Sequence, residues 1–387
     1  MRPEERIKEI EEFLRFALET WPERRASALH EIAKRCSNCA LSERHSSLTD
    51  GICSACREHT PNDAVSGDTA AMSRELDELL ESHQGKAAGR YDALVMFSGG
   101  KDSAYLLHLL RQKFPGLRLL ALMVDNGFTS SIAFANAKRV ATILSDVEYL
   151  TIRPKETLFR NTFRYALTHL NAGGCYSSVD RLGGDLVFDI GRNTAAAFGI
   201  PLLLHGGTRA QAQLILKLFS YETPRSWERE KRESTGGFLL RDIYTPEELK
   251  YWWDGSSWPA DRLPRVIFPF YAWPYDEHSV RREVQTLGLF EKGNENPIAS
   301  NSDLIPVNLA VDNSFLGYSG YEPEFTQLIR GKKADKNIWL SLFESVEYLG
   351  ARGLLLPGCI AETLTRLGLK HEDVGLPKPA AQQGRVI

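Results

Sequence analysis

Long apolar runs are missing from this 387-residue chain: no stretch approaches the roughly 18 consecutive apolar residues of a membrane-spanning helix. Neither sign of charge dominates, with 47 Lys and Arg against 50 Asp and Glu, which argues against a protein that coats nucleic acid. Internal repeats and long low-complexity tracts are absent, so solenoid and fibrous architectures are excluded. The N-terminus, MRPEERIKEIEEFLRF, is charged and helix-like and lacks the apolar core of a secretory signal. A cytoplasmic protein is therefore expected. Cysteine is scarce at six residues, and in that compartment the thiols read as free groups or metal ligands, not disulfides.

What is present is a junction built for a phosphate chain. Residues 91 to 110 read YDALVMFSGGKDSAYLLHLL, an apolar strand running through Ser98-Gly99-Gly100-Lys101-Asp102-Ser103 into a helix. Gly99 and Gly100 let the backbone turn and approach a ligand where a Cβ would collide. The following helix points its unpaired N–H groups and positive dipole end at whatever sits there, which suits an anion. Ser98 and Ser103 add hydroxyls, and Lys101 can balance phosphate charge. The run lacks the G-x-x-x-x-G-K-[ST] spacing of a Walker A loop and the G-x-G-x-x-G of a dinucleotide fingerprint.

Four of the six cysteines form two hooks, Cys36-Ser-Asn-Cys39 and Cys53-Ser-Ala-Cys56, thirteen residues apart. This spacing can place four thiolates around one Zn²⁺; an iron–sulfur cluster uses the same ligands and stays open as an alternative. With all four ligands from protein, no position remains for water, so the site reads as structural.

Along the chain, 1–60 reads as an N-terminal helix with the cysteine knuckle, and 61–90 as a linker (60–70) and a charged helix (71–84). An α/β domain is expected over 91–275, with strands at Tyr91–Phe97, Leu117–Val124, Val147–Ile152, Pro201–His205 and Val266–Phe270. Helices are expected at 130–143, 185–198 and 276–288. Residues 221–262, rich in charge and Trp, read as an insertion or an active-site flap. A mainly helical region covers 276–375, and the tail 376–387 reads as disordered. The fold class is α/β, with a parallel doubly wound sheet, an N-terminal helical and zinc-knuckle segment, and a helical C-terminal region.

Ser98 to Ser103 resembles the signature loop of the PP-loop ATP pyrophosphatases, whose HUP-like sheet matches this pattern. Those enzymes cleave ATP between the α- and β-phosphates, leave AMP on a substrate oxygen and release pyrophosphate. Three more segments resemble their N-acetyl sugar amidotransferase branch. They are the knuckle with Asp50-Gly51-Ile52-Cys53, then Val124-Asp125-Asn126-Gly127-Phe128 with Asn136, and Phe268-Pro269-Phe270-Tyr271 with Leu328-Ile329-Arg330-Gly331-Lys332. The resemblance implies ATP, Mg²⁺ and Zn²⁺ as cofactors. It implies adenylation of a carbonyl or amide oxygen of a small metabolite, a nucleotide-activated N-acetyl sugar, and displacement of AMP by ammonia. By it, Asp125 lies beside the adenosine, and Asp102 organises the Mg²⁺–pyrophosphate end; Asp102 also fits a plain role at the helix N-terminus. Lys332 and Lys333 read as a solvated basic run or as extra pyrophosphate charge. Gly206 and Arg209, with His205 and Gln211, lie at a strand end facing the same crevice, where a guanidinium suits phosphate.

Cys175, in Ala172-Gly173-Gly174-Cys175-Tyr176-Ser177-Ser178, stands where related enzymes carry C-x-x-C, with Ser178 in place of the second cysteine. It reads either as a persulfide carrier, which would make the protein an ATP-dependent sulfurtransferase with a sulfur-donor partner, or as a buried apolar thiol. The missing second cysteine favours ammonia, supplied by a separate glutaminase subunit or as free ammonium. The expected partner is a small molecule, with no membrane and a balance of charge that disfavours nucleic acid; assembly as a homo-oligomer stays open.

Overall fold

The computed structural model describes residues 1–58, 67–296 and 301–377. It divides into two compact units, each assembled from separated segments: Asn62–Phe159 with Arg181–Asn301, and Met1–Pro61 with Arg160–Asp180 and Ser302–Ile387. Most of the expected linker (60–66) and of the expected disordered tail (378–387) lies outside the described residues.

The first unit is an α/β layer built on strands β1 (Ala93–Met96), β2 (Leu119–Val124), β3 (Glu148–Ile152), β4 (Leu202–His205) and β5 (Arg265–Ile267). They pair in the order β3-β2-β1-β4-β5, every pair parallel. Each residue of β1 and β2 is buried, as their unbroken Leu, Val, Ala and Met sequences require when helices cover both faces. The fifth strand stops at Ile267, short of the expected Phe270. Pro269 has no N–H to give a ladder and instead opens the short helix Pro269–Ala272.

Helices α1 (Gly67–His83), α2 (Lys101–Lys113), α3 (Ser131–Ile143), α4 (Asp185–Phe198), α5 (Arg209–Leu216) and α6 (Glu277–Thr286) complete the unit. Their ends carry the expected local chemistry. Ser130 accepts from Ala133 N–H at 3.0 Å, Asp276 accepts from Ser279 N–H at 2.7 Å, and Thr208 and Gln211 form a reciprocal capping box. One core joins Leu76 and Leu80 of α1, Leu107 and Leu110 of α2, Val95, Ala121 and Leu204 of the sheet, and Val280 and Val284 of α6.

Residues 221–262 contain only short turns and a two-residue hairpin, Ser234–Thr235 with Phe238–Leu239. Buried charge ties this segment to α4. Arg232 donates to Asp189 at 2.6 Å, Arg192 to Glu228 at 3.1 Å, and Thr235 to Asp185.

The second unit is helical, as expected of the C-terminal region. Its principal helices are Pro3–Arg15, Trp21–Ala28, Ile305–Phe315, Glu322–Arg330, Lys336–Gly350 and Pro357–Leu367, with the short helix Gly174–Val179 packed on Ile305–Phe315. Buried Arg35 sits between Glu322 at 2.9 Å and Glu347 at 3.0 Å. Among the described residues no helix is long and apolar enough to cross a membrane.

Candidate functional site

The order of the strands decides where a ligand can sit. Chain connections leave β1 toward β2 on one side and β4 joins it on the other, so the loops after β1 and β4 diverge and open a crevice at the carboxyl edge. Met96 and His205, the last residues of these strands, pair directly. The loop Ser98–Gly100 and the loop Gly206–Gly207 are therefore neighbours. A Cβ on Gly206 would stand 3.1 Å from Ser103 Cα, a tight approach to helix backbone that glycine makes without a shift.

Within the first loop, Gly99 adopts φ +74° and lies so close to α3 that a Cβ would meet the Ala133 carbonyl oxygen at 2.3 Å. Asn136 of α3 donates to Gly99 O at 3.3 Å and so fixes the outer side of the turn. Ser98 and Ser103 brace the loop from within. Ser98 N–H donates to Ser103 Oγ, Gly100 N–H to Ser98 Oγ, and Ser103 Oγ–H to Gly100 O at 3.1 Å. The amide of Gly100 is thus spent inside the loop. Those of Gly99, Lys101, Asp102 and Ser103 have no hydrogen-bond partner among the described residues, and three of them open the 13-residue α2. Unpaired amides at a helix N-terminus form an anion receptor.

Lys101 is 5% exposed and donates to both oxygens of Asp102 at 3.0 Å. Tyr275 O–H donates to Asp102 Oδ1 at 2.6 Å. Tyr275 escaped the sequence reading because it reaches the loop from 173 positions away and belongs to no recognisable motif.

Around the crevice, Asp125 Oδ1 accepts from Gly127 N–H at 2.9 Å and its Oδ2 lies 3.4 Å from Arg153 Nη1. His205 Nδ1 accepts from Gly207 N–H at 2.9 Å, so the ring proton is assigned to Nε2. Burial between Phe188 and Phe268 lowers its pKa to about 4, which makes it a neutral donor at physiological pH. Arg209 donates to Thr69 Oγ1 at 3.2 Å and stacks on Tyr271 at 4.7 Å; among the described residues no carboxylate pairs with it. Gln211 is occupied by the capping box, its Oε1 accepting from Thr208 N–H.

Cys175 belongs to the other compact unit. It is wholly buried, its Sγ–H donates to Asn308 Oδ1 at 3.3 Å, and its N–H donates to Asp312 Oδ1 at 2.6 Å. Burial pushes this thiol well up, and the nearby Asp312 adds to the shift. Of the two roles open to it, the buried thiol fits this environment; a persulfide carrier needs an accessible thiolate. Lys332 and Lys333 also lie in this unit, at the end of the helix Glu322–Arg330.

The four hook cysteines converge. Their sulfurs all lie within 4.8 Å of one another, with Cys36–Cys56 and Cys39–Cys53 each 3.7 Å apart. A tetrahedral ion with bonds of about 2.3 Å to sulfur separates its ligands by roughly 3.8 Å, so the set fits one Zn²⁺-like ion. A cluster whose cysteines bind different irons needs a wider spread. Left-handed turns at Ala40, Asp50 and Gly51 fold the hooks. Burial opposes ionisation of Cys36, yet N–H groups of Cys53, Cys39 and Asn38 hold its pKa down at about 7. Burial raises Cys39 to about 11 and raises Cys56 as well: four crowded thiolates need a cation to ionise together.

No protein-family model matches the chain. An uncharacterized protein of Methanocaldococcus jannaschii is 42% identical over 69 residues, 18% of this chain; the chain spans 24% of that relative's length. Among solved structures, the U34-tRNA thiolase NcsA from Methanococcus maripaludis with its 4Fe–4S cluster aligns at 16% identity and TM-score 0.34, covering 77% of this chain and 89% of that one. An NMN synthetase from Francisella tularensis aligns at 12% identity and TM-score 0.34, covering 76% and 95%. An NH₃-dependent NAD synthetase from Campylobacter jejuni aligns at 13% identity and TM-score 0.33, covering 77% and 96%. Superpositions at these scores define no common fold by themselves; the fold rests on the sheet order above.

Proposed function

We propose that the α/β unit binds ATP and transfers its adenylate to an oxygen of a small acceptor, as a PP-loop ATP pyrophosphatase. The observation that carries this reading is the set of unpaired amides at Gly99, Lys101, Asp102 and Ser103, held open at the switch point of a parallel sheet. The acceptor oxygen attacks the α-phosphorus and pyrophosphate leaves. The loop amides and Lys101 hold the departing charge, and positioning supplies much of the rate. Asp102 is the loop carboxylate suited to Mg²⁺, which when bound neutralises the polyphosphate. Nε2–H of His205 and the guanidinium of Arg209 offer a neutral and a charged donor at the neighbouring loop. Gly206 lets that loop close on the phosphates, and Asp125 backs the adenosine side.

The acceptor we favour is the acetamido oxygen of a nucleotide-activated N-acetyl sugar. Ammonia then attacks the adenylated carbon, AMP departs, and an acetamidino group remains. Ammonia arrives free or from a separate glutaminase. The buried state of Cys175 supports this route over persulfide transfer. The four hook cysteines hold a structural Zn²⁺ through Cys36, Cys39, Cys53 and Cys56.

Incubation with ATP, Mg²⁺, labelled ammonium and a nucleotide N-acetyl sugar tests the reading. The expected outcome is acceptor-dependent AMP and pyrophosphate with label in the sugar. ADP as the sole nucleotide product refutes the chemistry, and product formed with sulfide but not ammonium turns the assignment to sulfur transfer. Zinc analysis of the purified protein and of Cys39→Ser tests the metal, and full occupancy in the variant would refute it.

A further inference from the structure

The arginine of the segment Leu328-Ile329-Arg330-Gly331-Lys332 is engaged at the cysteine hooks. Arg330 is the last residue of the helix Glu322–Arg330, and its Nη1 donates to Cys39 Sγ at 3.4 Å. A second cation reaches the same hook: Lys336, first residue of the helix Lys336–Gly350, donates from Nζ to Ser37 O. Both belong to the unit that carries the cysteines. Four thiolates around one divalent ion leave a net charge of minus two, and Cys39 is wholly buried, so that charge is poorly solvated. Among the described residues no carboxylate pairs with Arg330, so its charge is not already spent. A guanidinium N–H on a ligand sulfur withdraws charge and fixes the cysteine's rotamer, as partners of ligating groups generally do.

We propose that Arg330 is the electrostatic and positioning partner of the cysteine metal centre, acting through Cys39, with Lys336 fixing the backbone of the first hook. The proposal rests on the reading that these cysteines hold Zn²⁺. It assigns the helix Glu322–Arg330 to metal retention, a role distinct from phosphate binding.

The test uses the full chain as wild type, Arg330→Gln and Arg330→Lys. Zinc affinity is measured by competition with a chromophoric chelator, and the thiolate-to-metal charge-transfer band is recorded after Co²⁺ substitution. Arg330→Gln should lose about 10- to 100-fold in affinity and shift the cobalt band, while Arg330→Lys, which keeps the charge and loses the fork geometry, should fall between. Wild-type affinity and an unshifted band in Arg330→Gln overturn the proposal alone. A wild-type protein that binds neither metal overturns the zinc reading and the proposal with it. If Arg330→Gln does not fold, Arg330→Lys decides: an intermediate affinity sustains the proposal and wild-type behaviour overturns it.

Discussion

Replacing Gly99 by alanine puts a methyl group 2.3 Å from the Ala133 carbonyl oxygen and 2.9 Å from its carbon. Both atoms are backbone of α3, held in that helix's hydrogen-bond ladder, so they cannot swing aside. Gly99 also sits at φ +74°, where an L side chain costs about 1–2 kcal/mol. With an overpacking penalty of about 1–3 kcal/mol, the expected loss is roughly 2–5 kcal/mol. At about 2–4 °C per kcal/mol for a unit of this size, the melting transition should fall by roughly 5–20 °C. Calorimetry on the full chain measures it. Gly100→Ala is the internal control. Gly100 has φ −88°, and the nearest atoms to its added methyl belong to side chains, Asn301 Oδ1 at 2.9 Å and Ser98 Oγ at 3.1 Å, not to helix backbone. Its stability should change by less than about 1 kcal/mol, while Mg·ATP binding, read calorimetrically, weakens as the methyl enters the cradle. A Gly99→Ala protein melting within about 2 °C of wild type would refute the loop geometry.

Tyr275→Phe removes the phenol from Asp102 and should reduce the Mg²⁺-dependent part of ATP affinity about tenfold, the worth of one hydrogen bond to a charged group; unchanged Mg²⁺ dependence would dismiss the contact. Asp92 is wholly buried, and although burial opposes its charge, Arg118 and the amides of Arg118, Ala87 and Gly85 hold its carboxyl well below the usual range. A depressed acid contributes stability above its ordinary pKa and loses it as pH falls toward the folded value. Asp92→Asn should therefore cost about 2–3 kcal/mol at neutral pH, a gap that narrows in chemical denaturation below about pH 4; a gap constant with pH would contradict the assignment. Cys175 and Cys359 are both fully buried and should react with a thiol reagent such as DTNB only on unfolding; rapid native labelling of Cys175 would return it to the candidates for sulfur carriage.

The parts of the site that were legible in the sequence are short in sequence. The turn Ser98–Ser103 and the two C-x-x-C hooks announce themselves because each motif's conformation is set within a few residues. Helix Asp185–Phe198 carries its own stop, Gly199 at φ +64°, and was legible to the residue. By contrast, nothing in the irregular run 221–262 signals that Arg232 and Glu228 are held by Asp189 and Arg192 of α4. Buried ion pairs have no periodicity. The helix Glu156–Thr168 and the grouping of Arg160–Asp180 with the cysteine-bearing unit were equally silent.

Sequence alone determined a parallel α/β sheet, a glycine turn opening a helix, and four cysteines spaced for one ion, since hydrophobic period, left-handed backbone and ligand spacing are local properties. Only the tertiary structure decided that Tyr275 grips Asp102, that Arg330 faces Cys39 and that Cys175 is sealed beneath Asp312 and Asn308. Those contacts join residues more than a hundred positions apart, and their partners are chosen by packing and by the cost of leaving buried charge unpaired.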